Sequence, residues 1–233
     1  VTISNESRDR IKKAFEPLAL GLGRIGLTPN ALTLVGFGIS VAGAVLVAAG
    51  LWLAGGVVVF LGGAFDMFDG TLARATGRVS PFGAFLDSVF DRCGEAAVFV
   101  GVTAGLIGSP YAYDPFLGAM AILTAWAMAA AFLVSYARAR AEGLGFAPGK
   151  GMAEIGLMPR EVRLIVISLG LVIGGILGIG YPLQVGGQAT PLAGTFVLAG
   201  ALAVIAVGAT ITVAQRILIV RRQAGREGPR ADR

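Results

Sequence analysis

Four aspartates stand where a chain this apolar should not carry charge. Asp66, Asp69, Asp87 and Asp91 interrupt two long apolar stretches, with Arg74, Arg92 and Glu95 beside them. A charge at the centre of a membrane helix costs about 2.5 kcal/mol or more, so such residues usually mark function. At about 100° per residue, Asp66, Asp69, Gly70, Ala73 and Arg74 share one helix face. Gly83, Asp87 and Asp91 follow at steps of four and line one face of the next helix. Two helices thus present four carboxylates to each other, and four anions need a counter-ion. The chain has no His and one Cys, so the fitting counter-ion is a hard divalent cation with oxygen ligands, Mg²⁺ or Mn²⁺. Proton transfer falls to carboxylate, Lys, Tyr or water. A charge-paired helix interface would explain Arg74 and Arg92. It would leave an excess of carboxylates and would not explain the small residues beside them.

The elements that position these groups are membrane helices. Of 233 residues, 55% are hydrophobic and only 14% charged, with mean hydropathy +0.78. A soluble domain carries more charge, and a span needs about 20 apolar residues. The expected fold is an all-α integral membrane protein with six transmembrane helices. The spans are Pro29–Gly50, Ala54–Thr76, Pro81–Gly108, Pro115–Glu142, Arg160–Tyr181 and Pro191–Val220. An amphipathic interfacial helix precedes them within residues 1–28, carrying Ile11, Phe15, Leu18, Leu22 and Ile25 at four-three spacing among basic residues. It lacks the short apolar core and cleavage site of a signal peptide. Thr28 and Pro29 read as cap and first turn of the first span. The membrane domain covers 1–223, and 224–233 is a basic tail expected to be disordered. The 36 glycines suit close helix packing in lipid, and the lone Cys93 excludes an intramolecular disulfide.

Basic residues gather before the first span, around Arg74 and Arg78, from Arg138 to Arg163, and after Arg216. The connections near Leu51, Tyr111 and Gln184 have none. This asymmetry predicts a multi-pass protein of the cell membrane with both termini and the aspartates on the cytoplasmic side. Acidic residues at one end of the helices, rather than at the midplane, disfavour a channel or transporter.

The run Asp66-Met-Phe-Asp69-Gly70-Thr-Leu-Ala73-Arg74, eight residues, Gly83, three residues, Asp87, three residues, Asp91 resembles the complete signature of the CDP-alcohol phosphatidyltransferases. The resemblance implies transfer of a phosphatidyl-type group from a CDP-lipid, CDP-diacylglycerol or CDP-archaeol, to an alcohol, with CMP leaving. By it, Asp66, Asp69, Asp87 and Asp91 hold two divalent ions, and Asp91 also takes the proton of the attacking hydroxyl. Gly70, Ala73, Arg74 and Gly83 receive the CDP moiety, with Arg74 on pyrophosphate. Asn30 and Thr33 resemble a family motif near the nucleotide, although a helix cap explains part of that stretch.

The acceptor is read from a second basic cluster. Ser135-Tyr-Ala-Arg138-Ala-Arg140-Ala-Glu142 resembles the inositol-phosphate branch of the family, implying an inositol phosphate held by Ser135, Arg138, Arg163 and Arg216. Arg140 and Arg160 read better as positive-inside decoration. Arg stands at 138 where bacterial members commonly have Lys, and Pro159-Arg160-Glu161-Val162-Arg163 departs from the usual Glu-Arg-x-Glu-Arg. Glycerol phosphate, as used by phosphatidylglycerol phosphate synthase, is the alternative acceptor. The expected partners are membrane lipids and a second copy of the chain in a homodimer, and no nucleic acid.

Overall fold

The computed structural model describes residues 17–18, 20–109, 114–146, 155–180 and 191–226. Predicted features at 1–16, in the middle of the Gly143–Gly156 loop, at Tyr181 and at 227–233 lie outside them. The described residues form six long helices and no strand. They are α1 Pro29–Ala48, α2 Trp52–Ala75, α3 Pro81–Ile107, α4 Pro115–Gly143, α5 Arg160–Leu177 and α6 Ala193–Arg226.

Three helices start by one device, a polar cap followed by Pro at the first position, where the missing N–H costs nothing. Thr28 Oγ1 accepts from Ala31 N at 3.2 Å, Ser80 Oγ from Gly83 N at 3.0 Å, and Asp114 Oδ1 from Phe116 N at 2.8 Å. The predicted starts at Pro29, Pro81, Pro115 and Arg160 coincide with the observed ones. Two ends differ. Helix α5 stops at Leu177, four residues early, because Gly178 turns the chain at φ 81°. Helix α6 runs to Arg226 instead of ending near Val220. Arg221, Arg222, Gln223 and Ala224 are strong helix formers with nothing to break them.

Helices α1, α2, α4 and α6 are long and apolar enough to cross a membrane. Helix α1 packs on α2 and α3, α4 on α6, and α5 joins α2 to α6. Val47, Val59, Val102, Met120, Leu171 and Leu202 lie in the shared core. Val45, Phe60, Leu61, Val100, Ile122 and Ile176 face outward, as lipid-facing side chains do. The α1–α2 crossing needs glycine. A Cβ on Gly43 would lie 2.9 Å from Val59 N, and one on Gly55 2.8 Å from Val47 N. Buried hydroxyls bond back along their own helices, as Thr124 does to Met120 O at 2.7 Å. At the N-terminus residues 20–24 are helical, and Leu22 and Leu27 pack against Leu32, Phe68 and Leu72.

Candidate functional site at the α1–α2–α3–α5 junction

Each functional side chain is set by its helix. Asp66 and Asp69 project from the last three turns of α2, and Asp87 and Asp91 from the second and third turns of α3. Helix α1 supports them from behind. Thr33 Oγ1 donates to Asp69 Oδ2 at 2.6 Å, and Asp69 is buried. Gly70 N–H bonds the other oxygen of Asp69. Gly36 leaves room for Asp66, since a Cβ there would meet Asp66 Oδ1 at 2.6 Å. Asp87 lies within electrostatic reach of Asp66, Asp69, Arg92 and Arg160.

Helix α5 completes the group. Arg160 Nη2 lies 2.5 Å from Asp66 Oδ2 and 2.9 Å from Asp91 Oδ1. Arg92 Nη1 is 3.5 Å from the other Asp91 oxygen. The reading of Arg160 as topology decoration is therefore corrected. The residue stands 94 positions from Asp66 and enters the acidic site because α5 packs on α2. Arg140 remains exposed.

The residues expected to meet the nucleotide gather at the same end. Arg74 is exposed, and its guanidinium folds over Gly70, where a Cβ would lie 3.2 Å from Nη1. A Cβ on Gly83 would sit 3.2 Å from Asn30 Oδ1. Ala73 is half-buried one turn after Asp69. In the Thr-Pro-Asn-Ala-Leu-Thr stretch the roles divide: Thr28 caps, Asn30 reaches α3, and Thr33 holds Asp69.

The four residues expected to meet the acceptor are differently disposed. Arg138 is exposed and pairs with Glu142 at 3.0 Å. Ser135 Oγ lies 3.4 Å from Ala131 O. Arg163 is buried and forks onto Glu95, with Nε 2.6 Å from Oε1 and Nη2 2.8 Å from Oε2. Its Nη1 donates to Met158 O at 2.9 Å, so three of its five N–H groups bond acceptors among the described residues. Arg216 is also buried, bonding Ile155 O at 3.1 Å and Val134 O. Glu95 thus belongs to this region; the sequence assigns it no site role, and its step of four from Asp91 is the signal that points to it.

The donor set, four carboxylates with a cation already among them, fits hard divalent ions. Among the described residues, no three of these side chains are gathered as a preformed metal cluster. Such ions would bind carboxylates that Arg160 already shares.

Fold and site define a class: an all-helical membrane protein whose facing helices carry an acidic centre and a basic flank. The model of the CDP-alcohol phosphatidyltransferase family matches residues 26–220, and the chain belongs to that family. It is 34% identical over 220 residues to a phosphatidylinositol phosphate synthase of Mycobacteroides abscessus, covering 94% of this chain and 89% of that one. It is 32% identical to an archaetidylinositol phosphate synthase of Pyrococcus horikoshii, over 70% of this chain and 78% of that one. The crystal structure of Mycobacterium tuberculosis phosphatidylinositol phosphate synthase with CDP-DAG bound superposes with TM-score 0.72 at 33% identity, covering 91% of this chain and 94% of that chain. The same enzyme in complex with manganese and citrate gives TM-score 0.71 at 33% identity, covering 88% of each chain.

Proposed function

We propose that this transferase moves the phosphatidyl-type group of a CDP-lipid onto a hydroxyl of an inositol phosphate and releases CMP. The observation that carries the reading is the Asp66–Asp91 signature on the facing helices α2 and α3, in a chain similar to phosphatidylinositol phosphate synthases over nearly its full length. Asp66, Asp69, Asp87 and Asp91 would hold two divalent ions, Mg²⁺ or Mn²⁺. Such ions supply charge stabilisation to the attacking and leaving oxygens of a phosphoryl transfer.

The chain's own residues do the rest. Asp91 accepts the proton of the acceptor hydroxyl as its oxygen bonds the lipid-linked phosphorus. The bond from that phosphorus to the CMP oxygen breaks, and CMP leaves with the electron pair. Arg74 binds the pyrophosphate through its planar fork of donors. Gly70, Ala73 and Gly83 leave space for the nucleotide, and Asn30 and Thr33 line its α1 side. Thr33 also fixes the orientation of Asp69. Ser135, Arg138, Arg163 and Arg216 receive the acceptor phosphate. Arg138 is the exposed donor, and Arg163 and Arg216 contribute the N–H groups that Glu95 and the backbone carbonyls leave open.

The membrane reading extends to six spans, with both termini and the site on the cytoplasmic side of the cell membrane, and to a homodimer. Helices α3 and α5 are the two that carry the site's extra charges, Asp87, Asp91, Arg92 and Glu95 on one, Arg160, Glu161 and Arg163 on the other. Those charges set them apart from the other four. The deciding experiment presents purified protein with one CDP-lipid and a panel of inositol phosphate, free inositol, glycerol phosphate and serine, scored by CMP release. Preference for inositol phosphate is expected. Preference for another alcohol refutes the acceptor, and absence of CMP release with all four refutes the reaction.

A further inference from the structure

We propose that Arg160 is a built-in cation that fills the acidic site when no metal is bound and must withdraw for divalent ions to enter. The inference rests on the metal reading above and adds a competitor to it. One guanidinium nitrogen is shared between Asp66 and Asp91, at 2.5 and 2.9 Å. Those two carboxylates come from different helices, and a third helix supplies the cation. Arg160 is largely buried, and so are its partners, so the pairing is little screened by water. Arg160 holds one oxygen of each carboxylate, and a divalent ion bound by the same two groups would stand against its charge at close range.

The placement of Arg160 is built rather than incidental. It is the first residue of α5, and the segment just before it is pinned. Leu157 N and Met158 N both donate to Thr212 Oγ1, at 3.0 Å each. Arg163 Nη1 bonds Met158 O, and Arg216 Nε bonds Ile155 O. Helix α6 and the Glu95–Arg163 pair therefore hold the α5 start against the aspartates. Metal entry and the setting of this helix start are coupled: the first turn of α5 loosens as Arg160 withdraws. Without metal, Arg160 relieves the repulsion among the carboxylates and keeps α2, α3 and α5 together.

The test is equilibrium binding of Mn²⁺ to detergent-purified protein, read as free Mn²⁺ by electron paramagnetic resonance, for wild type and Arg160→Gln. Removing the competitor should tighten Mn²⁺ binding by about tenfold or more, the fold-change one charge-assisted hydrogen bond carries. In chelator the variant should melt below wild type, and saturating Mn²⁺ should close the gap. Equal or weaker Mn²⁺ affinity in the folded variant overturns the proposal. Should the variant not fold, hydrogen exchange on the wild type decides. Amides of residues 160–164 should exchange faster with Mn²⁺ than in chelator, and unchanged exchange overturns the idea. Failure of the wild type to bind Mn²⁺ at all sinks the metal reading instead, so the two failures are distinguishable.

Discussion

Glu95→Gln tests whether the buried Glu95–Arg163 fork holds the bundle together. Arg163 is 1% exposed, and its guanidinium makes two bonds to Glu95 and one to Met158 O. The Gln amide keeps one acceptor oxygen but removes the charge and turns one contact into donor against donor. Breaking a buried ion pair by removing one partner costs about 3–5 kcal/mol, because the remaining charge is stranded. The Glu95 side chain is 12% exposed, so water relieves part of this and the lower end, about 3 kcal/mol, applies. For a chain of this length that corresponds to a fall in Tm of about 6–12 °C. The assay is thermal unfolding in mild detergent with chelator present, for Glu95→Gln, Arg163→Met and the double variant. The double variant should be more stable than the sum of the single losses predicts, since removing both partners strands no charge. A Glu95→Gln protein that melts with wild type, or additive losses, would refute the buried-fork account.

Chelation should abolish turnover and added Mg²⁺ or Mn²⁺ should restore it; Asp66→Asn, Asp69→Asn or Asp87→Asn should each remove most activity in the same CMP-release assay. Asp91→Asn should abolish turnover while CDP-lipid binding, measured by calorimetry, largely persists, because a base acts in the transition state rather than in substrate binding; near-normal turnover would exclude Asp91 as the base. Thr33→Val, which keeps the shape of the side chain, should cost about 1.5–3 kcal/mol of stability through the lost bond to Asp69 and lower kcat with it. Arg138→Ala should raise KM for inositol phosphate about tenfold or more and leave KM for the CDP-lipid nearly unchanged; equal weakening of both substrates would place Arg138 outside the acceptor site.

The sequence by itself determined what local chemistry can write. Apolar length made the chain a membrane protein, and each cap-and-proline pair marked a helix start at Thr28, Ser80 and Asp114. The spacing from Asp66 to Asp91 put the carboxylates on two facing helix surfaces, because helical period alone fixes which side chains share a face. It could not tell which distant side chain would meet them. Arg160 carries no local signal that separates it from Arg140, yet one enters the aspartates and the other stays exposed. Arg163 and Arg216 read as cations for the acceptor phosphate at the ends of the last two spans, whereas packing also engages them with Glu95 and with the carbonyls of Met158, Ile155 and Val134. A guanidinium has no preferred partner in sequence. Which oxygens it finds depends on where α5 and α6 dock against α2, α3 and α4, and buried packing between helices, not helical period, decides that.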